Sequence, residues 1–269
     1  DTGYGKLTIE LTDAPFPHEL IAEANVTIYK VEARKKSEED EDTDSEASEE
    51  DTDDSSFVVL MEDELEVNLL TLTNGVTETM VDVEIPAGSY DLFRVYLKGV
   101  NVVLNDEAST TFDLKVPSGE QSGLKIFVEP ALVVTSGLSS DLLFDFDVCR
   151  SFVPRGNINN PSSFNGFNFK PVIKVSNLTS AGTLFGEITA MDMDTPVPLE
   201  GVQVSILQGD EIITTTLTDV SGGYMVMGLD AGVYDVVAEI TNYDTQTIEA
   251  ITITAGNKTQ QDIELVLSE

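Results

Sequence analysis

Short runs in which apolar and polar residues alternate recur along the chain and constrain its fold more than any other feature. The first run, KLTIELT at residues 6–12, places Leu7, Ile9 and Leu11 at every second position, and residues 142–148 repeat the pattern. A period of two residues sends successive side chains to opposite faces, as in a half-buried strand. No long window shows the i, i+3, i+4, i+7 spacing of an amphipathic helix. The sequence therefore predicts an all-β protein.

The apolar positions change parity within residues 25–33. Val26 and Ile28 occupy even positions, whereas Tyr29, Val31 and Ala33 occupy odd ones. One extra residue in a strand reverses which positions face inward. We therefore predict a β-bulge or an edge crossover in this stretch.

Two stretches of loop-like composition indicate how the strands are grouped. Residues 151–169 are rich in asparagine, proline and glycine, and residues 176–183 are small and polar before a new series of short strands begins. A chain of 269 residues exceeds the ordinary size of one domain. We predict two β-sandwich domains in tandem, residues 1–176 and 182–269, with seven short strands in the second. One large sandwich is the alternative.

Residues 37–56 form an acidic insertion in the first domain, because 12 of these 20 residues are acidic and the others are small or polar. Such a segment is expected to be a solvated loop between two strands. Asp40, Asp42, Asp44 and Asp51 have a spacing similar to that of a calcium-binding loop, although Ser45 replaces the turn glycine. These four aspartates are the candidate metal ligands of a weak calcium site, and no other cofactor is predicted.

The formal net charge of −35 restricts the classes of partner. An acidic surface repels polyanions, so nucleic acid is not an expected partner. No apolar run approaches the length that spans a bilayer, so a membrane is expected only through a lipid anchor outside this chain. The chain starts at Asp1 without a signal-peptide pattern, which we interpret as a mature or shortened form. The single cysteine, Cys149, excludes an internal disulfide.

Several motifs in the C-terminal part identify a family resemblance. They are Gly186, PLEGVQV at residues 198–204, TDVSGGY at 218–224 and GVY at 232–234. Over residues 182–268 the chain resembles a carboxypeptidase regulatory-like domain. The resemblance implies a transthyretin-like (prealbumin-like) β-sandwich, often described as a carbohydrate-binding-like fold. It also implies a non-catalytic module of the kind found in exported bacterial proteins.

Three motifs in the N-terminal part point to a second family. They are LTDAP at residues 11–15, PSGEQSGLK at 117–125 and DFDVCRS at 145–151. Over residues 3–175 the chain resembles a bacterial family of exported, often lipid-anchored proteins without an assigned function. That resemblance implies an extracellular or cell-surface location and tethering by a lipid anchor. Fimbrial and adhesin-like proteins are built from comparable sandwiches, which raises adhesion by analogy.

Catalytic machinery is not expected. His18 is the only histidine, lies in a proline-rich segment and has no serine or cysteine motif beside it. Residues 117–125 do not have the spacing of a phosphate-binding loop, and we interpret them as a hairpin turn. Asp145 and Asp147 share one strand face, and ion pairing with Lys125 or Arg150 is the preferred interpretation over acid/base catalysis.

The aromatic residues do not predict a sugar site. The chain has no tryptophan to stack on a sugar ring. We expect the alternating Phe164, Phe167 and Phe169 to anchor the preceding loop in the core. We likewise expect the tyrosines of the second domain to be packed; they are Tyr224, Tyr234 and Tyr243.

The sequence thus favours a non-catalytic, secreted or surface-tethered binding protein. The expected role is cell adhesion or binding of an extracellular partner, a protein or a glycan. An accessory carbohydrate-binding protein and a fimbria-like structural subunit are the alternatives.

Overall fold

A computed structural model describes residues 3–14, 21–36, 57–116, 122–157, 163–192 and 195–268. Nearly all regular structure in these ranges is β-strand, which confirms the predicted all-β class. The strands of the N-terminal sandwich are β1 (Tyr4–Ala14), β2 (Ile21–Lys35), β3 (Phe57–Met61), β4 (Leu65–Asn68), β5 (Glu78–Pro86), β6 (Gly88–Leu104), β7 (Thr111–Asp113), β8 (Leu124–Val134), β9 (Ser139–Asp147), β10 (Phe152–Pro154), β11 (Phe167–Phe169) and β12 (Ile173–Asn177). A 3-10 turn (Leu69–Thr71) precedes β5, and a one-turn helix, α1 (Val148–Ser151), follows β9.

Two sheets face each other in this sandwich. The first has the order β12-β9-β1-β5, with β1 parallel to β9 and antiparallel to β5. In the second, β2 and β6 are central: β3 and β4 pair with the free edge of β2, and β7 and β8 pair with β6. Leu7, Ile9 and Leu11 of β1 are buried between the sheets, as their alternation predicts. Phe93 of β6 meets Phe144 of β9 edge to face across the core, with ring centroids 5.7 Å apart.

The phenylalanines after the asparagine-rich loop belong to the same core. Phe167 and Phe169 are buried, and Phe164 packs against the cluster. Phe169 stacks on Phe146 with centroids 6.1 Å apart. Their predicted anchoring role is confirmed.

The predicted bulge in the second strand is also confirmed. The register between β2 and β6 shifts on both sides of Ile28. The shift lets Val26 and Ile28 face the core before it and Val31 and Ala33 after it. A single strand thereby keeps an apolar inner face over its whole length.

The expectation of a hairpin turn at residues 117–125 is wrong. β7 and β8, which flank this segment, both run antiparallel to β6, at residues 101–103 and 88–95 respectively. They therefore follow one another along the same edge of β6. β6 is 17 residues long, so two shorter strands can pair with it one after the other.

The described residues of the C-terminal sandwich form nine strands rather than the predicted seven. A short edge strand and a last strand split in two account for the difference. The strands are β13 (Gly182–Asp192), β14 (Thr195–Pro198), β15 (Gln203–Gln208), β16 (Glu211–Leu217), β17 (Gly223–Leu229), β18 (Gly232–Glu239), β19 (Gln246–Ile253), β20 (Lys258–Gln260) and β21 (Ile263–Leu265).

These strands build two sheets around a second apolar core. In one sheet β13 pairs with β14 and β17 on one side and with β20 and β21 on the other; the second sheet has the order β16-β15-β18-β19. Gly186 lies within β13, where a Cβ would lie 1.9 Å from the carbonyl oxygen of Gln261, so a larger residue would not fit. Tyr224 and Tyr234 are buried and Tyr243 packs against the cluster, which confirms their predicted packing.

Candidate functional site: the interdomain cleft

The Asn74-Gly75 turn of the N-terminal sandwich contacts the C-terminal sandwich. Both residues have positive φ, 56° and 82°. Asparagine followed by glycine is the preferred pair for such a tight turn. Asn74 Nδ2 donates to Asp219 Oδ2 at 3.2 Å and to Gly223 O at 3.0 Å. The turn is therefore hydrogen-bonded to the loop between β16 and β17.

A second contact covers the outer face of the β12-β9-β1-β5 sheet. Ser176 Oγ of β12 donates to Gly228 O of β17 at 2.8 Å. Gly228 has φ of +74°, and a Cβ there would lie 2.9 Å from Ser176 Cβ and 3.1 Å from Leu143 Cδ2. Leu143 points away from the N-terminal core, yet only 1% of it is exposed. The backbone of β17 therefore packs directly on this face.

A small cleft, partly open to solvent, lies between the two sandwiches. We refer to it as the interdomain cleft. The N-terminal sandwich contributes Thr12, Asp13, Asn74, Gly75 and Asp145, and the C-terminal sandwich contributes Thr214, Thr215, Thr216, Met225, Val226 and Met227. Its lining is rich in oxygen atoms and contains no lysine or arginine among the described residues.

Asp13 borders the cleft, but it is in register with the core residue Phe146, and only 4% of it is exposed. Its Oδ1 accepts a hydrogen bond from the Val148 N–H at 3.1 Å. Burial raises the pKa of Asp13 well above its usual value, and the negative charges of Asp145 and Asp147 raise it further. The Val148 hydrogen bond acts in the opposite direction but is outweighed.

Three oxygen atoms of cleft residues are buried and have no hydrogen-bond partner within the described ranges. They are Asp13 Oδ2, Asn74 Oδ1 and Thr216 Oγ1. Folded proteins leave few buried polar atoms unpaired, because each one costs free energy.

The pair of carboxylates predicted on β9 is divided between two environments. Asp147 caps α1, since its Oδ1 accepts the Arg150 N–H at 2.9 Å, and its Oδ2 lies 3.9 Å from Arg150 Nε. Asp145 lines the interdomain cleft and is paired in register with Lys174 of β12. Lys125 lies on β8 in the other sheet.

A second buried carboxylate, Glu32, lies on the outer face of β2. Lys30 Nζ contacts its Oε2 at 2.7 Å, Tyr96 Oη donates to its Oε1 at 2.5 Å, and Arg94 lies 3.3 Å away. Burial alone would raise the pKa of Glu32, but the hydrogen bonds from Lys30, Tyr96 and Arg94 outweigh it and lower the pKa. Lys30 lies on β2 itself, whereas Arg94 and Tyr96 lie on β6, so the contacts of Glu32 with the last two stabilise the β2–β6 pairing.

The remaining predicted site residues lie outside the described residues. These are His18 and the candidate calcium ligands Asp40, Asp42, Asp44 and Asp51. Within the described ranges, no group of three or more histidine, cysteine, aspartate or glutamate side chains could hold a metal ion. No helix in these ranges is long and apolar enough to cross a membrane.

Sequence reasoning did not identify Asp13, Asn74 or Thr216 as site residues. Asp13 follows Leu7, Ile9 and Leu11 at the same alternate positions of β1. The sequence therefore did place a carboxylate at a position predicted to face the core. Asn74 precedes a glycine, which signals a turn but not its contact with another domain. Thr216 carries no signal in the sequence, because its surroundings depend on the packing of two domains.

Two family models match the chain, and together they cover most of its length. The model for a domain of unknown function, DUF4382, matches residues 4–171. The model for the carboxypeptidase regulatory-like domain matches residues 183–266. A search of curated proteins found no match.

Several solved structures align with parts or all of this chain. The minor pilin GBS52 of Streptococcus agalactiae aligns over 97% of this chain and 96% of its own, at 14% identity and a TM-score of 0.29. The shaft pilin SpaA of Lactobacillus rhamnosus GG aligns over 100% and 99%, at 12% identity and a TM-score of 0.28. A type II cohesin-X-dockerin complex of Acetivibrio cellulolyticus aligns over 32% of this chain and 58% of its own, at 22% identity and a TM-score of 0.27.

TM-scores this low do not indicate a shared arrangement of domains. Both resemblances found in the sequence are nevertheless confirmed by the family models, in the same order along the chain. The C-terminal part is a carboxypeptidase regulatory-like domain of the transthyretin-like type, and the chain belongs to the DUF4382 family.

Proposed function

We propose that this protein is a non-catalytic, extracellular or surface-tethered binding protein that acts in adhesion or in the capture of an extracellular partner. The C-terminal module packs against the outer face of one N-terminal sheet through Ser176, Leu143 and Gly228. This packing leaves the far end of the N-terminal sandwich exposed. The module therefore serves to present the N-terminal sandwich.

The observation that carries the proposal is an exposed apolar tip at that far end. It consists of Tyr4, Val133 and Leu138, which are 58%, 63% and 61% exposed. The start of β1 and the β8–β9 turn are joined there, since Gly137 N–H donates to Tyr4 O at 2.9 Å. Several exposed apolar side chains at one end of a domain favour that end as an interaction site. Asp13, at the other end of β1, lies in the interdomain cleft, so the tip and the cleft are at opposite ends of the sandwich.

Binding of the full chain to immobilised extracellular proteins and to a glycan array tests this role. We expect the triple variant Tyr4→Ser, Val133→Ser, Leu138→Ser to bind at least about tenfold more weakly. The three substitutions remove apolar contacts, and a loss of about 1.4 kcal/mol of binding free energy corresponds to a tenfold higher Kd. Ile212→Ser, which removes an exposed apolar residue of the C-terminal sandwich, is the matched control.

Equal binding by the triple variant and the wild type would contradict the tip as the binding surface. Binding only to glycans would favour the carbohydrate-binding alternative. Concentration-dependent polymers in electron micrographs would favour the fimbria-like subunit.

A further inference from the structure

We propose that Asn74 is a modification site, at which spontaneous deamidation separates the two sandwiches. While the sandwiches are docked, meaning packed against each other, the contact slows this reaction. Once the reaction has occurred, its products oppose docking. Asn74 is therefore an irreversible switch between a docked and a separated form, and this role does not depend on the proposed adhesive function.

The dipeptide Asn74-Gly75 is chemically suited to deamidation. The backbone nitrogen of Gly75 attacks Cγ of Asn74, the Cγ–Nδ2 bond breaks, and the proton of the Gly75 N–H leaves with the amide as ammonia. Water then opens the resulting cyclic imide at one of its two carbonyl carbons and gives aspartate or isoaspartate. Glycine has no side chain to hinder the attack, and asparagine is one of the thermolabile residues of proteins.

The side-chain amide of Asn74 acts as a donor between the two domains. Its Nδ2 donates to Asp219 Oδ2 at 3.2 Å and to Gly223 O at 3.0 Å. A carboxylate oxygen and a carbonyl oxygen are acceptors only. In an aspartate at position 74, the oxygen that replaces Nδ2 would therefore meet two acceptors, and both hydrogen bonds would become repulsive contacts.

The surroundings of Asn74 cannot accommodate an additional negative charge. Asp219 is held in place, because its Oδ1 accepts hydrogen bonds from Ser221 N, Ser221 Oγ and Gly223 N. The described lining of the interdomain cleft contains two further carboxylates, Asp13 and Asp145, and no lysine or arginine. A new carboxylate at position 74 would thus be repelled by Asp219 without a cation in that lining to offset the repulsion.

The isoaspartate product is excluded by packing. It routes the main chain through the side-chain carbons and so lengthens the turn by one carbon atom. The turn is closed by Val76 N–H, which donates to Thr73 O at 3.2 Å, and a Cβ on Gly75 would collide with Met225 Sδ. A longer turn therefore has no space against β17, and both products of the reaction oppose docking.

Docking protects Asn74, because the amide must give up both interdomain hydrogen bonds before Cγ can approach the Gly75 nitrogen. The chain contains a second copy of the same dipeptide, Asn165-Gly166, as an internal reference. Asn165 is exposed, and its Nδ2 donates within its own loop, to Ser163 O at 3.2 Å. The two asparagines therefore differ in whether another domain holds the leaving group.

Peptide mapping by mass spectrometry, after incubation of the full chain in mildly alkaline buffer, measures conversion at both asparagines in one sample. In the wild type we expect Asn74 to convert at least about tenfold more slowly than Asn165, because two hydrogen bonds must open first. Leu143→Asp should accelerate conversion at Asn74 and leave Asn165 unchanged. Ser176→Ala, which removes the other interdomain hydrogen bond, should act in the same direction and decides the test if Leu143→Asp does not fold.

The product can also be made directly as Asn74→Asp. We expect this variant to divide the single thermal transition of the wild type into two, as separation of the sandwiches requires. Asn165→Asp, the same change within one domain, is the matched control and should keep the single transition. Differential scanning calorimetry of the full chain compares the three proteins.

Equal rates at Asn74 and Asn165 in the wild type would overturn the proposal, because docking would then give no protection. Slow conversion at Asn74 that neither Ser176→Ala nor a folded Leu143→Asp accelerates would also overturn it, since the turn alone would then be the cause. An unchanged thermal transition in Asn74→Asp would show that the product does not separate the sandwiches, and the switch would be refuted.

Discussion

Asp13 makes the stability of the protein depend on pH in a direction opposite to that of most surface carboxylates. Its pKa is raised in the folded protein, so the folded state binds the proton more tightly than the unfolded chain does. The resulting stabilisation is fully present below the unfolded pKa, near 3.8, and is lost as the pH rises through the raised folded value.

At pH 7.5 and without divalent cations, we expect Asp13→Asn to increase the free energy of unfolding by roughly 1–3 kcal/mol. The asparagine Oδ1 can still accept the Val148 hydrogen bond, and asparagine has no carboxylate charge to bury or to neutralise by proton uptake on folding. The gain should vanish near pH 4, where the wild-type carboxyl is protonated. Urea unfolding of both proteins at the two pH values measures this, and a less stable variant at pH 7.5 would show that the charge is favourable.

Glu32 has the opposite pH dependence, because its pKa is lowered in the folded protein. Its stabilisation is present above the unfolded pKa of 4.5 and is lost as the pH falls through the lower folded value. We expect Glu32→Ala to destabilise the protein by roughly 3 kcal/mol at pH 7, since Arg94 and Lys30 lose their buried partner. Urea unfolding at pH 7 measures the loss. A Glu66→Ala control, at an exposed position, should change little.

At the scale of elements, an alanine substitution at Gly228 measures how closely β17 packs on the N-terminal sandwich. Gly201 has nearly the same φ, +75°, but a Cβ there would have no atom within 4 Å. Gly201→Ala should therefore lower the free energy of unfolding by about 1–2 kcal/mol, through backbone strain alone. We expect Gly228→Ala to cost at least about 1 kcal/mol more, because its methyl group meets Ser176 and Leu143. Equal thermal unfolding of the two variants would mean that this contact adds nothing.

The strands themselves could be predicted from the sequence because alternation reports burial directly. Leu7, Ile9 and Leu11 face the core as their spacing predicts, and the parity change around Ile28 locates a real bulge. Pairing partners could not be predicted in this way. β7 and β8 share one edge of β6, an arrangement that depends on the length of a distant strand.

The candidate site could be predicted less well, because it depends on contacts between domains. Leu143 occupies an outward position of β9 by parity, yet the C-terminal sandwich buries it. Leu267 continues an apolar alternation but is exposed, because β21 ends two residues before it. Alternation describes one sheet and its own core, so it carries no information about a neighbouring domain.

At the scale of the whole molecule, the contact around Leu143 predicts that the two sandwiches unfold together. We expect Leu143→Asp to separate the thermal transition of the wild type into two, because a buried charge disrupts the interface while both cores stay intact. Leu138→Asp, at an exposed position, should leave the single transition unchanged. Differential scanning calorimetry distinguishes these outcomes. A single transition in Leu143→Asp would indicate that this contact does not couple the domains.

The central position of β1 in its sheet sets an order of events during synthesis. One edge of β1 pairs with β5, but the other waits for β9, where Leu7 is matched with Ser140. A chain that emerges from its N-terminus therefore keeps a central strand half-paired until residues 139–147 have appeared. Pairings between residues so distant in sequence form slowly and expose apolar edges to other chains meanwhile. For such a protein, the interval between the emergence of β1 and of β9 is when a chaperone is needed most.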